Sequence, residues 1–146
     1  MADSNKDRDL DGDQIISFPC GLPGLEDYRE FFLNPMEDDS PFFYLSSTSQ
    51  PEIGLLLVNP FFVFSDYEFD LDDKVVDQLG ITSPDQLVVL CTVNTSRGIA
   101  SATVNLLAPI VINIELKQAR QVVLNDRRYS LRTPLSFEQA GNKGVR

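Results

Sequence analysis

The middle of this chain is a succession of short apolar runs, each stopped within a few residues by a turn signal, and that rhythm restricts it to a mainly β fold. Phe42 to Ser46 and Ile53 to Val58 are two such runs, separated by a polar Ser/Thr/Gln/Pro turn. Leu55-Leu56-Leu57-Val58 does not alternate, so burial on both faces is expected. Asn59-Pro60 ends it. Phe61-Phe62-Val63-Phe64 follows and reads as strand, after which a period of two sets in. Tyr67, Phe69 and Leu71 fall on one side; Asp66, Glu68 and Asp70 fall on the other. The spacing predicts a strand with a row of carboxylates on its outer face, and packing alone requires no acids there.

Further strands are expected at Leu87 to Val93, Ile99 to Leu106 and Ile110 to Leu116. Ala119 to Leu124 and Arg128 to Leu131 read as a hairpin around Asn125-Asp126, with Arg128, Ser130 and Arg132 on one face and Tyr129 and Leu131 on the other. One short helix is marked, with Asp70 as its cap, Asp72 and Asp73 at the positive end of its dipole, and Gly80 closing it. Leu71, Val75, Val76 and Leu79 form its apolar stripe. A second turn starts at Ser83-Pro84, with Pro84 at the first helical position. Pro19-Cys20-Gly21-Leu22-Pro23-Gly24 reads as a compact structural loop whose glycines take positive φ, and Glu26 to Phe32 as a short helix or strand ended before Pro35. Many short strands and one or two short helices predict a small, mainly antiparallel β-barrel-like single domain over residues 14–136. Residues 1–13, with five aspartates, read as a flexible acidic arm, and residues 137–146 as a mobile tail.

The residue types present restrict the chemistry. Histidine is absent, which removes the usual general base, the Ser-His and Cys-His pairings and the commonest zinc ligand. No phosphate-binding or dinucleotide-binding glycine pattern occurs. Cys20 and Cys91 are isolated thiols without metal spacing and read as unpaired. Adjacent acids at Asp38-Asp39 and Asp72-Asp73, and the Asp66/Glu68/Asp70 row, keep one alternative in view: a carboxylate-based hydrolase or a metal-binding β-barrel. The row lacks the Gly and terminal Glu of an EF-hand loop, and a solvated or partner-facing acidic strand is the better reading. No catalysis and no cofactor are expected. No apolar run approaches the ~20 residues of a membrane span, and residues 1–13 carry no apolar signal core, so the expected location is the cytoplasm.

Charge is divided along the chain. Residues 1–86 hold 19 acidic and 4 basic side chains, a net −15, whereas residues 87–146 hold 3 acidic and 8 basic ones, a net +5. The acidic part repels nucleic-acid phosphates and steers a basic protein partner toward itself. The candidate partner-binding residues are Phe61, Phe62, Asp66, Glu68, Asp70, Arg128 and Arg132: aromatic anchors, the acidic row, and two arginines suited to an acidic surface.

Four segments, Phe18 to Leu25, Asn59 to Phe69, Asn105 to Asn113 and Gln121 to Leu135, taken in that order resemble the FliW family. Phe18-Pro19-Cys20-Gly21-Leu22-Pro23-Gly24-Leu25 is similar to its opening Phe-Pro-x-Gly-[Leu/Ile]-Pro-Gly-Phe pattern, with Leu25 in the place of Phe. Asn59-Pro60-Phe61-Phe62-Val63-Phe64-Ser65-Asp66-Tyr67-Glu68-Phe69 resembles its central stretch, and Asn105-Leu106-Leu107-Ala108-Pro109-Ile110-Val111-Ile112-Asn113 its later Asn-Leu-x-Ala-Pro motif. Gln121-Val122-Val123-Leu124, then Tyr129, Arg132, Pro134 and Leu135, complete the order over residues 15–135. The resemblance implies a small β-barrel-like flagellar assembly factor. Its implied partners are flagellin and the translational regulator CsrA, exchanged without a covalent step.

Overall fold

The computed structural model describes residues 14–135, so the expected arm and tail lie outside the described residues. Strands β1 (Gln14–Ser17), β2 (Glu30–Pro35), β3 (Phe42–Ser47) and β4 (Gly54–Val58) form an antiparallel meander. Then come β5 (Leu87–Asn94), β6 (Thr103–Val104), β7 (Ile110–Asn113), β8 (Gln118–Gln121) and β9 (Thr133–Pro134). The described strands run in the order β4-β3-β2-β1-β8-β7-β5, and β4 also pairs with β5, which closes seven strands into a barrel. The β4–β5 closure uses Leu56↔Val93, Leu57↔Thr92 and Val58↔Cys91. The other seam is parallel and narrow: β1 meets β8 through Ser17↔Gln118, supported by the Ser17 N–H donating to the Lys117 carbonyl at 2.9 Å. β6 and β9 extend from the far end of β5 through Val93↔Val104 and Thr103↔Pro134.

Strand alternation sorts the side chains into an inner core and an outer layer. Ile16, Phe31, Leu33, Phe43, Leu45, Val88, Leu90, Ile110 and Ile112 fill the interior, where Phe18 meets Phe31 edge-on at 5.5 Å. Outside the wall, Val58, Cys91, Val93 and Val104 lie beneath Val63, Tyr67, Leu106 and Leu135. A third group joins Val111 to Val75 and Leu79. The non-alternating β4 and β5 runs thus have one explanation: apolar contacts on both faces. Leu55 and Leu57 turn inward, while Leu56 and Val58 turn outward under the second layer.

Several expected elements differ, each for a local reason. Phe61 to Phe64 is not strand. Asn59 accepts the Phe61 N–H at 3.0 Å, Pro60 takes a first-turn position, and helix α1 (Pro60–Val63) results. The second helix, α2 (Asp73–Gln78), is capped by Asp72 rather than Asp70, through the Lys74 N–H at 3.0 Å. Gly80, at φ 65°, ends it as expected. Ser83-Pro84 opens a 3-10 turn over Pro84–Gln86, closed by a capping box between Ser83 and Gln86. The expected strand at Ile99 begins as another 3-10 turn after Gly98, leaving only Thr103–Val104 in the sheet. No hairpin forms around Asn125-Asp126. β8 pairs instead with β7 and β1, and the chain beyond it runs along the connection before β7, with Val122 N–H to Pro109 O at 2.9 Å and Leu124 N–H to Leu107 O at 2.8 Å. Tyr129 and Leu131, expected on one strand face, differ: Tyr129 is half-buried and Leu131 is 56% exposed. β2 begins at Glu30 and runs through Pro35.

The asparagines act as turn caps. Asn105 accepts from Leu107 and Ala108 N–H at 3.1 and 2.9 Å. Asn113, fully buried at the end of β7, accepts from Glu115 and Leu116 at 3.0 and 3.1 Å and donates to the Leu79 carbonyl at 2.7 Å, tying α2 to the barrel. The opening loop also spends its donors internally. Gly21 and Gly24 hold positive φ, the Gly21 N–H donates to Phe18 O at 2.8 Å, and the Gly24 N–H donates to the Glu26 carboxylate at 3.0 Å. That last bond holds the Glu26 carboxyl below its ordinary pKa. Asn113→Ala is expected to lose about 2–3 kcal/mol in a urea unfolding measurement, because it orphans one buried carbonyl and two turn N–H groups.

Candidate functional site

Between α1 and α2, a turn at Ser65-Asp66, closed by the Tyr67 N–H donating to Phe64 O at 3.0 Å, leads into residues 67–72, and together they cross the outside of the barrel as a strap. The predicted two-residue alternation is present, but among the described residues the strap pairs with no strand. Tyr67 is buried, Phe69 and Leu71 are half-buried, and Asp66, Glu68 and Asp70 are exposed. Side chains from elsewhere replace the missing ladder. The Tyr67 hydroxyl donates to the Leu106 carbonyl at 2.7 Å. Tyr129 does more: its oxygen accepts the Glu68 N–H at 2.9 Å, and its O–H donates to the Glu68 carbonyl at 2.9 Å. One hydroxyl therefore fills both hydrogen-bonding positions that a neighbouring strand would supply at residue 68.

Tyr67 is the centre of an aromatic group. Phe61 and Phe69 lie at 5.6 and 5.5 Å from its ring, and Tyr129 meets it edge-on at 4.7 Å. Burial pushes the Tyr67 hydroxyl well above its ordinary pKa, and the adjacent Cys91 adds to the effect. Cys91 is itself pushed up to about 12 by burial, partly offset by its hydrogen bond with Tyr67. Both stay neutral at physiological pH, as the outer apolar layer requires.

The strap's outer side is electrostatic. Arg128 makes ion pairs with Asp126 at 2.8 Å and Glu68 at 3.2 Å, and its guanidinium carbon lies 5.1 Å from the centre of the Tyr129 ring. Asp126 first and Glu68 second raise the Arg128 pKa further. The Arg128 contact holds the Asp126 carboxyl below its usual range. A groove of about 340 Å³ opens beside the strap, with Phe61, Phe69, Leu71 and Leu87 among its walls and Glu68 and Asp70 at its edge.

The structure thus gathers most of the residues singled out in sequence. Phe61, 43% exposed, stands at the groove, and Asp66, Glu68 and Asp70 line the strap beside Arg128. Phe62 is half-buried in α1, and Arg132 is exposed just before β9 without an ion pair among the described residues. Arg128 and Arg132 do not share a strand face, because residues 128–132 form no strand. Among the described residues no group of three Asp, Glu or Cys side chains gathers to hold a metal ion, and no helix is long and apolar enough to cross a membrane.

A family model described as FliW protein matches residues 4–135. The chain belongs to the FliW family. The flagellar assembly factor FliW of Clostridium novyi (strain NT) is 39% identical over 126 residues, 86% of this chain and 88% of that one. Those of Caldicellulosiruptor bescii and Bacillus subtilis (strain 168) are 41% and 36% identical, covering 82% and 86% of this chain and 78% and 88% of theirs. A crystal structure of the flagellar assembly factor FliW superposes with a TM-score of 0.75 at 33% identity, over 82% of this chain and 84% of that chain. The barrel is therefore the FliW fold.

Two residues of the site, Tyr129 and Asp126, were not singled out in sequence as functional. A signal for the first exists: the chain has 4 tyrosines against 10 phenylalanines, so each tyrosine in an apolar setting suggests a hydroxyl with a partner. The partner, 61 residues away, carries no spacing signal. The two thiols give a direct check on the outer layer. Cys20 is exposed and Cys91 fully buried, so an aromatic disulfide reagent at pH 8 is expected to titrate one thiol in the native protein and two in denaturant. The sign of the pKa shift adds an alkaline limit. Between the ordinary 9.0 and about 12 the unfolded chain releases a Cys91 proton that the folded one keeps, so unfolding free energy falls as pH rises through that window.

Proposed function

We propose that the acidic strap is a protein-binding face through which this FliW-family assembly factor engages flagellin and a CsrA-type translational regulator in turn. When flagellin is scarce, the free protein holds the regulator and relieves its repression of flagellin mRNA; when flagellin is abundant, the regulator is released. The process is binding alone, with no catalytic step, and takes place in the cytoplasm.

What supports the reading is the arrangement of Asp66, Glu68 and Asp70. Three carboxylates face solvent along a strap fixed from beneath by buried aromatics, next to an apolar groove. A regulator that binds RNA carries basic surface, and fixed carboxylates attract that surface while repelling its RNA. The groove adds apolar contact area that charge alone does not give.

Titration calorimetry of the wild type against flagellin and against a CsrA-type regulator tests this. Both are expected to bind. A triple variant, Asp66→Asn, Glu68→Gln and Asp70→Asn, is expected to weaken the regulator's binding about tenfold or more at low salt and to flatten its salt dependence. Its stability is expected to stay within about 0.5 kcal/mol of the wild type, as for exposed substitutions generally. Wild-type protein that binds neither partner sinks the proposal. So does a triple variant with the affinity and salt slope of the wild type.

A further inference from the structure

We propose that Tyr129 is the positioning residue of this face: its hydroxyl fixes the register of the strap and so places the carboxylates and Phe69 for recognition. This rests on the reading of the strap as a partner-binding surface, and it names a residue that need not touch the partner.

The N–H and C=O of Glu68 point to the same side, since both reach the one Tyr129 oxygen. In a sheet, a neighbouring strand would engage both. Here the Tyr129 oxygen lies 2.9 Å from each, accepting from one and donating to the other. The two bonds fix the in–out sense of residue 68. With Tyr67 anchored through its own hydroxyl to Leu106, they force Glu68 outward and Phe69 back toward the Tyr67 ring. A slip of one residue would send carboxylates into the aromatic layer and aromatics into solvent.

Tyr129 is itself well held. Its ring packs edge-on against Tyr67, Arg128 lies over it, and its N–H donates to Asp126 O at 3.2 Å. The Arg128–Glu68 ion pair is a weaker constraint, since its side chains are 56% and 74% exposed and water screens them. Directional bonds to the backbone, rather than that ion pair, set the register.

Tyr129→Phe tests the proposal, because it removes one oxygen, keeps the ring and alters no charge. Two readouts are taken on the whole chain. Amide hydrogen exchange is expected to accelerate about two- to tenfold at Glu68 and its strap neighbours, the loss of one or two net hydrogen bonds, with β3, β5 and β7 unchanged. Calorimetry with flagellin and with the CsrA-type regulator is expected to show weaker binding by a similar factor for the partner that uses the strap, with its salt slope preserved. Glu68→Gln removes a charge and is expected instead to flatten that slope.

Exchange at Glu68 equal to the wild type overturns the positioning role. Faster exchange with unchanged affinity for both partners overturns the link to recognition. Exchange accelerated equally throughout the barrel assigns Tyr129 to general stability and also overturns the proposal. A wild type that binds neither partner is a different result, because it removes the functional reading and the recognition half together.

Discussion

Strand β5 is the constraint on which the rest of the molecule depends. It closes the barrel against β4, continues it into β7 and carries β6 at its far end. Its even-numbered residues Val88 and Leu90 fill the interior, while Cys91 and Val93 support the outer layer. Burying each such aliphatic side chain stabilises by roughly 1.5–3 kcal/mol, so the outer contacts compare in strength with the inner ones. The strap is therefore held to the barrel by apolar burial and two tyrosine hydroxyls. The exposed Arg128–Glu68 pair is screened by water and can rearrange without loosening what lies beneath.

The charge division changes meaning once the chain is folded. In sequence it separates an acidic part from a basic end. In space, Arg128 of the basic part lies against Glu68 of the acidic part. Arg128, by its type suited to an acidic partner surface, is engaged with the protein's own carboxylates, Asp126 and Glu68. Asp66 and Asp70 form no ion pair among the described residues and remain the outward acids of the strap.

Much of the fold was legible in the residues, and the failures have physical causes. Two-sided burial of Leu55 to Val58, the Ser83-Pro84 turn and the in–out sense of residues 66–71 all follow from period and cap chemistry. A compact aromatic run such as Phe61 to Phe64 suits a strand, whereas the Asn59 side chain and Pro60 decide for a helical turn. The strap was read as a strand because alternation usually reports a ladder, and here hydroxyls impose it. Asn125-Asp126 is a turn pair and suggests a hairpin of Ala119 to Leu124 with Arg128 to Leu131, while the backbone bonds of Val122 and Leu124 go to residues 109 and 107. Of the candidate site, the acids and Phe61 were legible. Tyr129 was not, since its role depends on a contact between distant loops.

The parallel seam between β1 and β8 has a consequence for motion. Its ladder is one residue pair, Ser17↔Gln118, whereas β2–β3 and β3–β4 are each paired along five positions. Joining those two strands also closes a loop of about a hundred residues, the kind of distant contact that forms after local hairpins and lowers folding speed. The barrel is accordingly a cylinder with a preferred opening line. With so short a ladder, parting of the wall is expected to concentrate at this seam rather than in the meander. The seam joins β1 to β8, whereas the strap is held by β5, Leu106 and Tyr129, so opening the wall and anchoring the strap draw on different contacts.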